Sequence, residues 1–334
     1  MSQVPPRERS PRILLVRLRG VPEVVHSLPI LHGLRDHFPT AWLAWAVEEP
    51  AAELLLGLPD LDEVVVLSRG WNRSPTTVWR LRQRLRFTQF ETTIDADGTL
   101  AGSLVARLSG AVQRIAPRRG GSTWLPWPGR GRRPPLDLRY RVDGGLELLR
   151  PLGIDSAQVR FGLVEDEPHA AAANWTLQEA GFHSGFALLH RGVGAMRAWP
   201  EATAAAVIRH LGHARALPTL ILWGCERERE AAARITDHAD GHARVAPRTT
   251  LRHVAALARR ARLCLGGDEG PLYLAAAVGA PCVGLFGGRS GDGQAPGGVR
   301  RVLLEDGSAR CFQPAQIIAA CEESLACGGQ LIGT

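Results

Sequence analysis

The stretch RILLVRLRGVPEVVHSLPILHGL, residues 12–34, decides how the rest of the chain is read. Its first seven residues form an apolar run of the kind that makes a strand buried on both faces. Gly20 interrupts the run, Pro22 suits a first helical turn, and VVHSLPILHGL continues with apolar residues at three and four spacing. A buried strand that feeds a helix through a glycine turn opens a βαβ unit, and in open α/β sheets that turn faces the ligand crevice. Glu23 stands at this turn and has two possible roles. It is either a working carboxylate or an acid that favours the positive end of its own helix.

Outward from this point the same alternation continues. Strand candidates are WLAWAVE (42–48), DEVVVL (62–67), FETTIDA (90–96) and a short run near VQRIAP, with the helical pattern TVWRLRQRLRF among them. The second half repeats the series with FALLH (186–190), LPTLILWG (217–224), ARVAP (243–247), ARLCLGGD (261–268) and PCVGLFG (281–287). Helical patterns fill the intervals: EATAAAVIRHLGHA, residues 226–235, LRHVAALARRA and PLYLAAAVGA. Strands alternating with helices predict parallel sheets covered by helices. A length of 334 residues suits two domains. The expected fold is therefore α/β, with two Rossmann-like domains over 1–165 and 166–334, a linker near 160–168, and a central cleft onto which the carboxyl ends of both sheets open.

Composition narrows the chemistry. The hydrophobic fraction of 45% is that of a globular protein. There is no uncharged apolar run of about 18 residues and no apolar signal segment in MSQVPPRERSPR, so a soluble, cytoplasmic protein is expected. Six cysteines (225, 264, 282, 311, 321 and 327) lack CxxC spacing, which argues against a zinc site or a disulfide framework and for reduced thiols. The chain contains no lysine, so all 40 Lys-or-Arg positions are arginine. That excludes P-loop NTPases, pyridoxal-phosphate enzymes and protein kinases, each of which needs a lysine.

The net charge of +7 is concentrated in RRGGSTWLPWPGRGRRPPLDLRYR, residues 118–141, which reads as a mobile loop. With Trp124 and Trp127 it suits an anionic glycolipid or a membrane face, or else it is simply solvated. No nucleic-acid-binding motif accompanies it.

The segment LCLGGDEGPLYLAAAVGAPCVGLFG, residues 263–287, is the candidate phosphate site. A buried strand ends at Gly266, Gly267 and Asp268, and Glu269-Gly270 turns into a helix with Pro271 at its start. Small residues let a ligand approach, and the free N–H groups of the first helical turn attract an anion. The same residues also make an ordinary strand-to-helix turn. Just past LILWG, Glu226 or Glu228 stands where an acid accepts hydrogen bonds from ribose hydroxyls, or merely starts a helix.

Taken in order, ILLVRLRGVPEVVHSLPILHGLRDHFP, WAVEE (45–49), IDADG (94–98), LLHRGVGAMRAWP (188–200), LILWGCERERE and DEGPLYLAAAVGAPCVGLFG resemble the blocks of glycosyltransferase family 9, the bacterial heptosyltransferases of lipopolysaccharide synthesis. The resemblance spans nearly the whole chain. It implies a GT-B fold with an acceptor-binding N-terminal domain and a donor-binding C-terminal domain. It also implies inverting, metal-independent transfer of a heptose-like sugar from a nucleotide-diphosphate donor, ADP-linked, to an anionic saccharide or glycolipid acceptor. No cofactor is expected, and peripheral contact with the inner membrane is.

Carried onto this sequence, the resemblance makes Glu23 the base, in place of the family's aspartate, and puts Arg197 at the family's lysine position against the leaving diphosphate. Gly194, Trp223, Gly224, Glu226, Asp268, Glu269, Gly270 and Tyr273 become donor contacts. Asp97, which replaces a glutamine, is a second candidate base. Glu269 and Tyr273 also depart from the family pattern, and an ionised Glu269 beside a diphosphate would repel it. These departures keep open a degenerate, non-catalytic nucleotide-sugar-binding or scaffold protein. A nicotinamide-dependent oxidoreductase fails, because LRGVPEVVH has one glycine where the dinucleotide fingerprint needs three.

Overall fold

The computed structural model describes residues 10–117, 130–132, 141–192, 199–287, 299–304 and 313–327. The chain divides into two compact units, Met1–Gly162 and Leu163–Thr334. In the first unit, β1 (Arg12–Val16), α1 (Val21–His37), β2 (Trp42–Glu48), β3 (Glu63–Leu67), α2 (Pro75–Thr88), β4 (Thr92–Asp95), α3 (Leu100–Ser109), β5 (Gln113–Ile115), β6 (Arg130–Arg132) and α4 (Arg141–Leu146) follow one another. The second holds α5 (Glu167–Ala180), β7 (Ala187–His190), α6 (Glu201–Arg215), β8 (Thr219–Leu222), α7 (Glu226–Asp237), β9 (Ala243–Val245), α8 (Leu251–Arg260), β10 (Leu263–Gly267), α9 (Gly270–Ala277), β11 (Cys282–Gly287), β12 (Val299–Leu304) and α10 (Pro314–Cys327).

Each unit carries one six-stranded sheet, ordered β3-β2-β1-β4-β5-β6 in the first and β12-β11-β10-β7-β8-β9 in the second. All described strand pairs are parallel. Parallel strands need helical crossovers that cover both faces, which is why β1, β7 and β10 are almost continuously apolar rather than alternating. In the first sheet β1, β2 and β3 step one way and β4 starts again on the other side of β1. In the second, β10 does the same beside β7. Both orders therefore contain a topological switch point, between β1 and β4 and between β7 and β10, where the crossover helices diverge and leave a crevice at the strands' carboxyl ends.

Local chemistry sets the helix starts. Ser74, Thr99, Asp166 and Thr250 cap α2, α3, α5 and α8, each accepting a hydrogen bond from the backbone N–H three residues on, at 3.0–3.3 Å. Each unit has its own core. In the first, Leu14, Val16, Ala46, Val65, Leu85 and Phe90 meet under α2 and α3. In the second, Trp199, Val207, Ile208 and Leu211 of α6 and its approach pack on Leu189, Ile221 and Leu265.

Two strands are absent from the sequence reading. β6 lies inside the segment 118–141 expected as a loop, so residues 130–132 correct that expectation, and β12 extends the second sheet beyond PCVGLFG. Both are edge strands, with a single neighbour each. Among the described residues no helix is long and apolar enough to cross a membrane.

Candidate functional site

The first group of site residues gathers at the switch point between β1 and β4. Gly20 has φ +82, a left-handed conformation that favours glycine, and it lets the chain leave β1 and enter α1 within four residues. A Cβ at Gly20 would lie 1.9 Å from Glu23 Oε2, so the Glu23 carboxylate occupies the space a side chain there would fill. Glu23 is thus folded back over the start of its own helix, at the crevice end of the sheet.

Asp97 leaves the neighbouring strand on the same side. Its Oδ1 accepts the backbone N–H of Leu18 at 3.2 Å, and its Oδ2 is bonded by the Thr99 hydroxyl. Behind it Asp95, fully buried, accepts the N–H groups of Asp97 (3.1 Å) and Gly98 (2.9 Å) and the Ser103 hydroxyl (3.1 Å). Asp95 therefore shapes the turn that carries Asp97. At the end of β2, buried Glu48 accepts hydrogen bonds from Arg19 (3.1 Å) and from the Trp71 indole (3.2 Å), which braces the β1 turn from its other side.

Burial, and to a lesser extent the charge of Asp97, pushes the Asp95 carboxyl up to about 6, against the lowering effect of its hydrogen bonds. A folded-state pKa raised from 3.8 to about 6 means that ionised Asp95 costs the folded state roughly 3 kcal/mol above that pH. The cost is relieved as pH falls from about 6 toward the unfolded value. Asp95→Asn keeps the two backbone acceptor bonds and can donate to Ser103. It should therefore stabilise the fold near pH 8, with the advantage over the parent shrinking to nothing near pH 4. Paired denaturant titrations at the two pH values check this, and an advantage independent of pH would refute the assignment.

The second group lies at the switch point between β7 and β10. His190 ends β7 and is buried. Its Nε2 faces Glu228 Oε1 at 3.4 Å and its Nδ1 faces Glu269 Oε2 at 3.5 Å. Glu228 is itself buried and holds the start of α7 as the acid of a capping box whose first residue is the exposed Cys225. It accepts the N–H groups of Gly224 (2.6 Å) and Cys225 (3.2 Å). Burial works to raise its carboxyl, but His190 and the two N–H groups outweigh that and hold it below the usual range. Glu269 leans over Gly192, whose φ is +82 and whose missing Cβ would sit 3.2 Å from that carboxylate. The sequence left open where Glu269 points. The structure turns it inward, onto a histidine.

Of the remaining candidates, Asp268, Glu269, Gly270 and Tyr273 are held together at the start of α9. Tyr273 is fully buried and gives its hydroxyl to Asp268 Oδ1 at 2.5 Å, so it orients that carboxylate from beneath. Trp223 ties the end of β8 to that of β9 through its indole N–H and the Ala246 carbonyl (2.7 Å). Glu226 is exposed and takes both oxygens to Arg229 (2.8 and 3.0 Å), whereas Glu228, two residues on, is the acid that reaches His190. Gly194 and Arg197 lie outside the described residues, as do Trp124 and Trp127.

The sequence reading passed over His190. It closes an apolar strand, and nothing in FALLH marks it, although its place at a strand's carboxyl end beside a glycine turn is the kind of signal that could have. His190, Glu228 and Glu269 can each offer a ligand atom within 4.8 Å of the others, so a metal ion is compatible with their composition. The two carboxylates face opposite nitrogens of one ring, so a protonated His190 would balance both of them.

Two parallel sheets of Rossmann order, one after the other, with polar groups collected at each switch point, make up a GT-B fold. A family model described as glycosyltransferase family 9 (heptosyltransferase) matches residues 78–311, well over half of the chain, and the chain belongs to this family. Lipopolysaccharide heptosyltransferase 1 of Pseudomonas aeruginosa is 27% identical over 293 residues, 83% of this chain and 78% of that protein. The protein of the same name from Salmonella typhimurium is 26% identical over 297 residues, covering 83% and 88%.

Among solved structures, the glycosyl transferase family 9 protein from Veillonella parvula superposes with a TM-score of 0.83 at 18% identity, over 95% of this chain and 98% of that one. The E. coli heptosyltransferase WaaC with ADP gives 0.74 at 20% identity, over 96% and 100%.

Proposed function

We propose that this glycosyltransferase moves a heptose-like sugar from an ADP-linked donor to an anionic saccharide or glycolipid acceptor, with inversion at the anomeric carbon and without a metal ion. The observation that carries the reading is the placement of Glu23 in the crevice of one sheet and of the helix-start site around α9 in the crevice of the other, in a chain of this family. In support, E. coli heptosyltransferase WaaC has been solved with ADP and with ADP-2-deoxy-2-fluoro heptose.

The first unit binds the acceptor and the second the donor. The Glu23 carboxylate takes the proton of the acceptor hydroxyl as its oxygen attacks the anomeric carbon. The bond from that carbon to the diphosphate breaks on the opposite face, which inverts the configuration. The departing nucleoside diphosphate carries away the electron pair. Its charge is met by Arg197 and by the positive end of α9 at the Gly270 N–H, since Pro271 has no N–H and that of Leu272 is bonded to the Glu269 carbonyl. His190 stands between Glu269 and Glu228, with a ring nitrogen toward each, and in its protonated form offsets the repulsion that Glu269 would otherwise exert. The protein works in the cytoplasm.

A panel of nucleoside diphosphates and nucleotide sugars, scored by thermal stabilisation and then by calorimetry, tests the reading. ADP-linked ligands should raise the melting temperature most, by mass action on the folded state, and Arg197→Ala should remove the calorimetric signal. Failure of every nucleoside diphosphate to bind would replace this reading with that of a non-catalytic relative.

A further inference from the structure

Helix α2, PTTVWRLRQRLRFT, is built differently from the other helices of the first unit. It carries four arginines and no acid in its 14 residues. Leu81 and Leu85 are buried and fix it to the core. At about 100° per residue, Trp79, Gln83, Arg86 and Phe87 fall on the opposite side, flanked by Arg80 and Arg82. The structure agrees: all six are exposed, Trp79 at 58% and Phe87 at 89%. Arg84 is occupied by Glu63 (2.7 Å), but Arg80, Arg82 and Arg86 have no acidic partner among the described residues.

The positive surface continues past the helix. Arg86 packs against the turn after α3, where a Cβ on Gly110 would lie 2.7 Å from the guanidinium carbon. Burial first, and then the nearby charges of Arg107 and Arg86, hold the Arg114 guanidinium below its usual range, which places these three cations in one field. Two residues beyond Gly110, Val112 is 79% exposed.

Arginine alone would suit any polyanion. Here it is interleaved with an exposed indole, a nearly naked phenyl ring and an exposed valine. Those side chains gain little from a phosphate backbone and much from the boundary between lipid headgroups and acyl chains. Large apolar groups on a soluble surface, ringed by unpaired cations, match the chemistry of an anionic bilayer. We propose that the exposed face of α2 docks on an anionic phospholipid surface, with Trp79 and Phe87 entering the headgroup layer and Arg80, Arg82, Arg86 and Arg107 meeting lipid phosphates. This surface is separate from both switch-point sites, and the inference stands whether or not the donor assignment does.

The test is co-sedimentation of the full chain with vesicles of phosphatidylcholine alone and of phosphatidylcholine mixed with phosphatidylglycerol. Binding is expected only to the mixed vesicles, weakening as salt rises. The pair Trp79→Ser and Phe87→Ser, and separately the pair Arg80→Glu and Arg82→Glu, should each weaken it about tenfold or more. Circular dichroism and nucleotide-induced thermal shifts should be unchanged, since none of these side chains is buried or near a site. The proposal fails if the parent chain ignores the mixed vesicles, or if either pair of substitutions leaves binding intact, because another surface is then responsible. It also fails if single-stranded RNA is bound more tightly than the vesicles and the aromatic substitutions do not matter.

Discussion

Glu23→Gln should lower sugar transfer by about 10²–10⁴-fold while leaving donor affinity within about twofold. Glutamine has the shape of glutamate and can fill the same space over Gly20, so the α1 turn is preserved. What it lacks is a basic oxygen for the acceptor's proton. The close fit matters because attack geometry tolerates only about 1 Å of displacement, and the tight Gly20 turn constrains where the Glu23 carboxylate can lie. Steady-state rates with a saturating donor, together with calorimetry for that donor, separate the two effects. Turnover equal to that of the parent would move the base elsewhere, first to Asp97, which stands at the adjoining strand end but already receives hydrogen bonds from Leu18 and Thr99. A merely dipole-stabilising Glu23 would show itself as a small loss of stability with no loss of rate.

The second large effect concerns the histidine between two acids. In His190→Ala, Glu228 and Glu269 lose the imidazole between them, and the Glu269 carboxylate faces an incoming diphosphate without it. Two like charges about 4 Å apart cost roughly 4 kcal/mol at an effective dielectric of about 20. That corresponds to about a thousandfold in affinity as an upper figure, since each tenfold is about 1.4 kcal/mol. Nucleoside diphosphate affinity should therefore fall by between about ten- and a thousandfold. Glu269→Gln, added to His190→Ala, should recover most of the loss by removing the repelling charge, and the four-membered cycle measures the coupling directly. If the double variant binds no better than His190→Ala, Glu269 does not face the diphosphate and the assignment of this site is wrong.

Much of this architecture can be read in the amino-acid order, for a physical reason. Strands buried on both faces of a parallel sheet, such as β1, β7 and β10, must be apolar throughout, and a glycine turn must follow wherever the chain doubles back sharply. RILLVRLRG and LCLGGDEG satisfy both conditions within a few residues. β6 and β12 escaped because RGR has no apolar residue and VRRVLL is broken by two arginines, whereas the edge strand β3 carries the apolar run EVVVL and is legible.

The site was legible only in pieces. Asp268 to Tyr273 are contiguous and announce themselves as a strand-to-helix turn. His190 ends β7, Glu228 lies in the first turn of α7 and Glu269 follows β10, and only the crossing over of β10 to the far side of β7 makes them neighbours. The choice between Glu226 and Glu228 shows the same limit. Both are acids in the first turn of α7, and their difference lies in which side of the helix meets the sheet.

The exposed thiol at position 225 has a practical use. It heads the helix whose capping acid faces His190, while Cys264, Cys282 and Cys321 are shielded. With Cys311 and Cys327 replaced by serine, a maleimide dye would attach at one place, beside the proposed nucleotide site. Its emission would then follow ligand arrival in real time, without a coupled assay or a radioactive sugar.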